Sequence, residues 1–273
     1  MRIAILGTRG IPNNYGGFEQ FAEYLSLGLV KSGHEVTVYS PHFHPFDKNE
    51  FNGVKIIHIY SPETLLGGFA NFIYDFLCLN DAYNTGFDIV YELGYGSSAI
   101  SYFLLQFKKR RAILITNMDG LEWKRQKWSW IVQWLTKKSE KIAIRFSDHL
   151  VSDNIGIQNY YLAAHKKESV FLPYGAELIN EFEEHVLNQY QLRTKEYFLL
   201  IARLEPENNI ELIIKGYLIS NAPCPLIIIG NVGNRYGRYL VENYKSKKVV
   251  FLGGIYNKQA IDSLRHFSKA YLH

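Results

Sequence analysis

The sequence predicts an α/β protein made of two doubly wound units, each with a parallel sheet. Three observations predict it. Strand-like runs alternate with helix-length segments along the chain. The first run, "RIAIL", stops at a glycine-rich loop, "GTRGIPNNYGG", that leads into a helical pattern. A second cycle of the same alternation starts at Tyr197.

The elements follow in order. The first half offers "RIAILG", "EVTVYS", "VKIIHIY", "DIVYE", "AILIT", "HLVS" and "SVFLP" as strands. Several are rich in β-branched residues and apolar on both faces, as parallel strands between two helical layers are. Helical patterns fall near residues 17–32, 69–84, 97–107, 128–147 and 155–164. In the first, Phe18, Phe21, Ala22, Leu25 and Leu29 recur at three- and four-residue steps and share one face. The second cycle runs "YFLLIA" (197–202), a helix near 209–220, "PLIIIG" (225–230), a helix near 236–245, "VVFLG" (249–253) and a helix near 257–268. Residues 177–196 read as a connection, which sets an N-terminal domain over 1–176 and a C-terminal domain over 177–273. The chain stops at "KAYLH", inside the fourth strand of the second domain. A doubly wound domain rarely ends there, because that strand lacks its covering helix. The second domain is therefore expected to be incomplete and the sequence to be a piece of a longer protein.

Bulk properties exclude several classes. A chain of 273 residues is long enough for two cores. At 47% hydrophobic and 21% charged, its composition is that of a globular protein. The net charge of +4 is too mild to argue for nucleic acid. Two cysteines far apart, Cys78 and Cys224, fit a reduced compartment without a disulfide framework. No run approaches ~20 continuous apolar residues, and the apolar run after Arg2 is too short for a secretory signal. A cytoplasmic location is expected.

Three stretches carry candidate chemistry. Gly16 and Gly17 lie between a strand end and a helix start, where free backbone N–H groups and the helix dipole meet anions. The spacing is that of neither the dinucleotide fingerprint nor a P-loop, so the loop has room for something bulkier than a tightly held pyrophosphate. The alternative is a plain strand-to-helix turn. In "TNMDGLEWKR", Asp119 falls just past the strand "AILIT", at the ligand-binding edge of an open sheet, or else caps a helix. In "IARLEPENN", Arg203 ends a buried strand and its fork of donors suits a diphosphate; otherwise it pairs with Glu205 or Glu207. No Asp-x-Asp and no His/Cys cluster occurs, so no metal is expected, and backbone N–H groups with Arg or Lys would neutralise a leaving diphosphate.

All four tryptophans fall in "WKRQKWSWIVQW" (123–134). From Trp123 to Arg145 there are seven Lys or Arg and one acid, Glu140. Interleaved Trp and Lys fit a segment lying at an anionic membrane surface, with Trp128, Lys137, Lys138 and Lys141 facing it. The alternative is a core helix whose basic residues are solvated.

Together these pieces resemble the retaining glycosyltransferases of family 4, which have the GT-B fold. "GTRGIPNNYGGFEQFAEYLSLGLVKSGHEVTVYS" resembles the start of that family, and "IARLEPENNIELII" its second-domain signature. "GTRGIPNNYGGFE" with "NMDGLEWKR" is most similar to a bacterial subgroup that includes rhamnosyltransferases of capsule and exopolysaccharide assembly. The resemblance covers essentially the whole chain. It implies a nucleotide-sugar donor bound between two Rossmann-like domains, its diphosphate on the Gly16–Gly17 backbone and Arg203. It implies catalytic roles for Asp119 and Arg203 and an acceptor side carrying Arg9, Glu19 and Glu122. The acceptor it implies is a lipid-linked saccharide at the inner face of the cell membrane, with no cofactor or metal. Two departures matter. Asn208 stands where the wider family has a phosphate-facing Lys, and the donor-binding carboxylate motif should come just after residue 273.

The reading is a glycosyltransferase that moves a sugar, with rhamnose the candidate, from a nucleotide to a lipid-linked saccharide with retention. Its rival is a non-catalytic sugar-nucleotide or polysaccharide binding module docked on the membrane. A nicotinamide oxidoreductase is disfavoured, because no acid ends the second strand, "EVTVYS", to hold a ribose.

Overall fold

The computed structural model describes residues 1–273 apart from Tyr15, Lys109, Arg110, Arg111, Asp119, Arg125, Gln126, Lys127, Trp128 and Glu177. The chain divides into two compact units, Met1–Gly175 and Ala176–His273.

The first unit opens with β1 (Arg2–Leu6), α1 (Gly17–Lys31), β2 (Glu35–Pro41), β3 (Glu50–Phe51) and β4 (Val54–Ile59). It continues through α2 (Glu63–Leu66), a 3-10 turn at Gly67–Phe69, α3 (Ala70–Thr85), β5 (Ile89–Leu93), α4 (Ser98–Leu104) and β6 (Ile113–Asn117). A second 3-10 turn at Glu122–Lys124, α5 (Trp130–Phe146), β7 (His149–Ser152), α6 (Ile155–His165) and β8 (Val170–Phe171) complete it. The sheet order is β3-β4-β2-β1-β5-β6-β7-β8. All described pairings are parallel except β3 with β4.

Alternation along β1 explains the two layers. Ile3 and Ile5 point to one face, where Phe18, Phe21, Leu25 and Leu29 of α1 cover them. Ala4 and Leu6 point to the other, under Cys78 and Leu79 of α3, Tyr102 of α4, Ala143 of α5 and Tyr161 of α6. The hairpin arm β3 escapes the sequence reading because two residues carry no periodicity. Its signal was the Asn52–Gly53 pair, both at positive φ, in the tight turn between β3 and β4.

The second unit contains α7 (Val186–Gln189), β9 (Phe198–Ile201), a 3-10 turn at Pro206–Asn208, α8 (Ile210–Ile219), β10 (Leu226–Ile229), α9 (Arg235–Tyr244), β11 (Val249–Gly253), α10 (Lys258–Phe267) and β12 (Ala270–Leu272). Its sheet has the order β11-β10-β9-β12, all parallel. Residues 177–196 are more than a connection. Leu187 of α7 is buried with Tyr197, Leu199 and Leu264 in the core of this unit. A four-residue helix is too short to be read from spacing.

Candidate functional site

Parallel pairing brings the carboxyl ends of β1, β5, β6 and β7 to one edge of the first sheet, where open α/β sheets bind ligands. The loop after β1 is built there in two parts. Gly7 (φ +75°) and Gly10 (φ +95°) are glycines because the fold requires it. A Cβ on Gly7 would stand 2.4 Å from Glu92 Oε1, and one on Gly10 would stand 2.3 Å from Ser40 Oγ. Gly16 and Gly17 differ. Gly16 is the N-cap of α1 in extended backbone, and among the described residues no side chain caps the helix. A Cβ on Gly17 would meet nothing within 4 Å, and one on Gly16 would meet only Glu19 Oε2 at 3.3 Å. The described fold therefore has room for a side chain at Gly17. Gly17→Val is expected to leave the melting temperature nearly unchanged while lowering affinity for a nucleotide sugar in calorimetry. Unchanged affinity would remove this loop from the binding site.

Glu19, buried, organises the loop. Its Oε1 accepts the Arg9 backbone N–H at 2.8 Å and the Thr8 hydroxyl at 3.4 Å. The Arg9 guanidinium pairs with Glu63 Oε1 at 2.7 Å and fastens α2 to the loop. Arg9 and Glu19, both expected on the acceptor side, are thus brought together by the loop they shape. Glu122 lies half-buried in the 3-10 turn Glu122–Lys124. Asp119, the expected catalytic acid, lies outside the described residues.

Beneath the loop are two buried acids that sequence reasoning missed. Glu92, the last residue but one of β5, has no exposure, and among the described residues neither carboxyl oxygen has a hydrogen-bond partner. Burial, reinforced by neighbouring Asp75, drives its carboxyl well above the usual carboxylate range. Burial also pushes Asp75 up to about 7, although the Ser97 hydroxyl, donating at 2.5 Å, pulls it down. The available signal was a Glu inside "DIVYEL", a strand apolar on both sides. The folded state keeps these protons at pH values where the unfolded chain has released them. Stability is therefore expected to fall as pH rises from the ordinary Glu value of 4.5. Glu92→Gln should remove much of that decline. The variant is expected to match the wild type near pH 4 and to melt higher at pH 8 in pH-resolved thermal scans.

Another buried acid anchors the tryptophan segment. Glu140 of α5, fully buried, accepts from Lys137 Nζ at 2.7 Å, Trp123 Nε1 at 2.9 Å and the Tyr160 hydroxyl at 2.9 Å. His165 Nε2 lies 3.0 Å away and the Tyr161 hydroxyl 3.5 Å. The Lys137 ammonium, expected at a membrane surface, is turned onto Glu140 and lies 3.9 Å from the centre of the Trp123 ring. Lys138 and Lys141 are exposed, and Trp128 lies outside the described residues.

In the second unit, Arg203 follows β9 and is exposed. Among the described residues, no carboxylate is in ion-pair range of its guanidinium, so the alternative pairing with Glu205 or Glu207 is not formed. Asn208 closes the loop, its amide donating to the Arg203 carbonyl at 2.7 Å. Asn234 bridges this loop to the next, donating to the Leu204 carbonyl at 2.9 Å while capping α9 through Gly237 N–H. Among the described residues, no group of three or more His, Cys, Asp or Glu is placed to hold a metal ion.

Two doubly wound units with these βα loops define the GT-B fold class shared with glycosyltransferases. The chain matches the family described as a domain of unknown function, DUF1972, over residues 1–177, and it belongs to that family. Sucrose-phosphate synthase from Thermosynechococcus elongatus has a similar structure at 17% identity, with a TM-score of 0.77 covering 99% of this chain and 74% of that one. Anabaena HepE in complex with UDP and glucose gives 0.64 at 15% identity, covering 96% and 71%. UDP-N-acetylglucosamine 2-epimerase from Rickettsia bellii gives 0.60 at 13% identity, covering 99% and 72%. A curated relative from Klebsiella pneumoniae, described as an uncharacterized 42.6 kDa protein in cps region, is 42% identical over 60 residues. That match spans 22% of this chain and 16% of the relative.

Proposed function

We propose that this protein is a glycosyltransferase that moves a sugar from a nucleotide donor to a lipid-linked saccharide during polysaccharide assembly. One observation carries the reading most directly. The loop after β1 presents an N-terminus of α1 that no side chain caps among the described residues, at a glycine the described fold does not require. Backbone N–H groups there suit a diphosphate. Arg203, exposed and without an ion pair among the described residues, supplies a second anion-binding group. The fold shared with sucrose-phosphate synthase and with HepE solved with UDP and glucose supports a nucleotide-sugar donor. The cps-region relative supports polysaccharide assembly.

In the proposed reaction, the bond from the anomeric carbon to the diphosphate oxygen breaks. A bond from that carbon to an acceptor hydroxyl oxygen forms on the same face, and the hydroxyl proton leaves with the diphosphate. Arg203 is assigned to the charge that develops on the leaving group, without a metal, and the backbone N–H groups of Gly16 and Gly17 are assigned to anion binding. Asp119 is assigned to the reacting sugar or the acceptor hydroxyl, and Arg9, Glu19 and Glu122 shape the acceptor side. Asn208 supports the Arg203 loop. Rhamnose is the candidate sugar, retention the stereochemical course and the inner face of the cell membrane the place of reaction.

The test is a calorimetric screen of nucleotide diphosphate sugars. Saturable binding of at least one, weakened in Gly17→Val and in Arg203→Ala, supports the reading. Binding that ignores both substitutions would overturn this site.

A further inference from the structure

The outer surfaces of α4 and α5 form one patch, of which the sequence reading saw only the α5 half. Along α5 the exposed positions follow one helical stripe: Trp130, Ile131, Trp134 and Leu135 at its start, then Lys138, Lys141 and Arg145. Glu140, the sole acid of the helix, faces inward and is neutralised by Lys137. The stripe therefore carries cations and no carboxylate. α4 lies directly beside its cationic end. The Phe103 ring meets the Phe146 ring edge-on at 6.3 Å, and Phe103 lines a groove with Lys141, Ile142 and Arg145. Beyond it Leu104 is 57% and Phe107 90% exposed. Large apolar side chains left in water beside a basic stripe mark an interaction surface.

We propose that α4 and α5 together are a docking surface for an anionic lipid bilayer. In this arrangement Phe103 and Leu104 of α4, with Phe107 in the turn that follows it, enter the acyl boundary beside Lys138, Lys141 and Arg145 at the headgroups. Trp130 and Trp134 sit at the same interface further along α5. Charge complementarity selects this occupant, because the exposed stripe of α5 holds cations and, among the described residues, no carboxylate to attract a basic partner, and indoles with cations fit the headgroup layer. The inference rests on the lipid-linked acceptor proposed above, since such an acceptor stays in the membrane. Among the described residues, no helix is long and apolar enough to cross a membrane, so the contact is with the surface.

The test is flotation with phosphatidylcholine vesicles, with and without phosphatidylglycerol. Wild-type protein is expected to float with the anionic vesicles, and more weakly as salt rises. The triple variant Lys138→Gln, Lys141→Gln, Arg145→Gln should bind about tenfold more weakly or less. Phe103→Ser with Phe107→Ser should do the same, with the melting temperature held. Equal binding to neutral and anionic vesicles, or an α4 variant that binds like wild type, overturns the inference. So does a patch that binds a protein partner and ignores vesicles. Arg203→Ala should float like wild type, so failure of the sugar-transfer reading and failure of this surface give different results.

Discussion

Arg203→Ala is expected to lower kcat/KM for sugar transfer by about ten- to a hundred-fold and to leave the melting temperature unchanged. The guanidinium is exposed and makes no ion pair among the described residues, so its removal costs the fold little. The proposed function assigns to it a charge-assisted contact with the diphosphate, worth ~1.5–3 kcal/mol, which the variant would lose. Arg203→Lys is expected to be impaired as well, because a point charge lacks the fork that grips two phosphate oxygens. The check is steady-state kinetics beside a thermal scan. A variant with normal turnover but a lowered melting temperature would give Arg203 a structural role instead.

Glu140→Leu is expected to have the largest effect on stability, about 3–5 kcal/mol, the usual consequence of breaking a buried charged pair. Lys137, Trp123 and Tyr160 all direct a donor at this carboxylate, and leucine would leave them without an acceptor. For a unit of this size, that corresponds to roughly 10 °C in melting temperature. Burial by itself would raise the carboxyl. Hydrogen bonds from Lys137, Trp123 and Tyr160 outweigh it and hold the group below the usual carboxylate range. A depressed pKa stabilises the fold above the ordinary Glu value of 4.5 and ceases to do so as pH falls through the folded value. The wild-type advantage over Glu140→Leu should therefore shrink in acid, the reverse of the trend expected for Glu92. Thermal scans of both variants across pH would reveal the crossing trends.

Much of the fold was legible because its signals are local. Two-sided apolar runs such as "RIAIL" and "LIII" became parallel strands, and the three- and four-residue recurrence of Phe18, Phe21, Leu25 and Leu29 became the buried face of α1. The elements that were missed, β3, α2 and α7, are two, four and four residues long, below the length at which periodicity has meaning. The site was legible only in part. Glycines could be counted, but which ones the backbone requires depends on neighbours distant in sequence: Glu92 against Gly7 and Ser40 against Gly10. Lys137 and Lys138 are adjacent in the chain and look alike there. A helical step of about 100° turns the first onto Glu140 and leaves the second in water. The α4 half of the exposed surface went unseen because "SYFLLQF" reads as core, and only packing decides which of its apolar residues are covered.

The reaction proposed is sugar transfer from a nucleotide to a lipid-borne saccharide. Its most direct test is mass spectrometry of a lipid-linked saccharide fraction after incubation with the protein and a panel of nucleotide sugars. With one donor the acceptor is expected to gain the mass of a single sugar residue, with one nucleoside diphosphate released per residue added. A donor whose sugar is isomerised while the acceptor mass stays fixed, or a donor that binds and is never consumed, would contradict it.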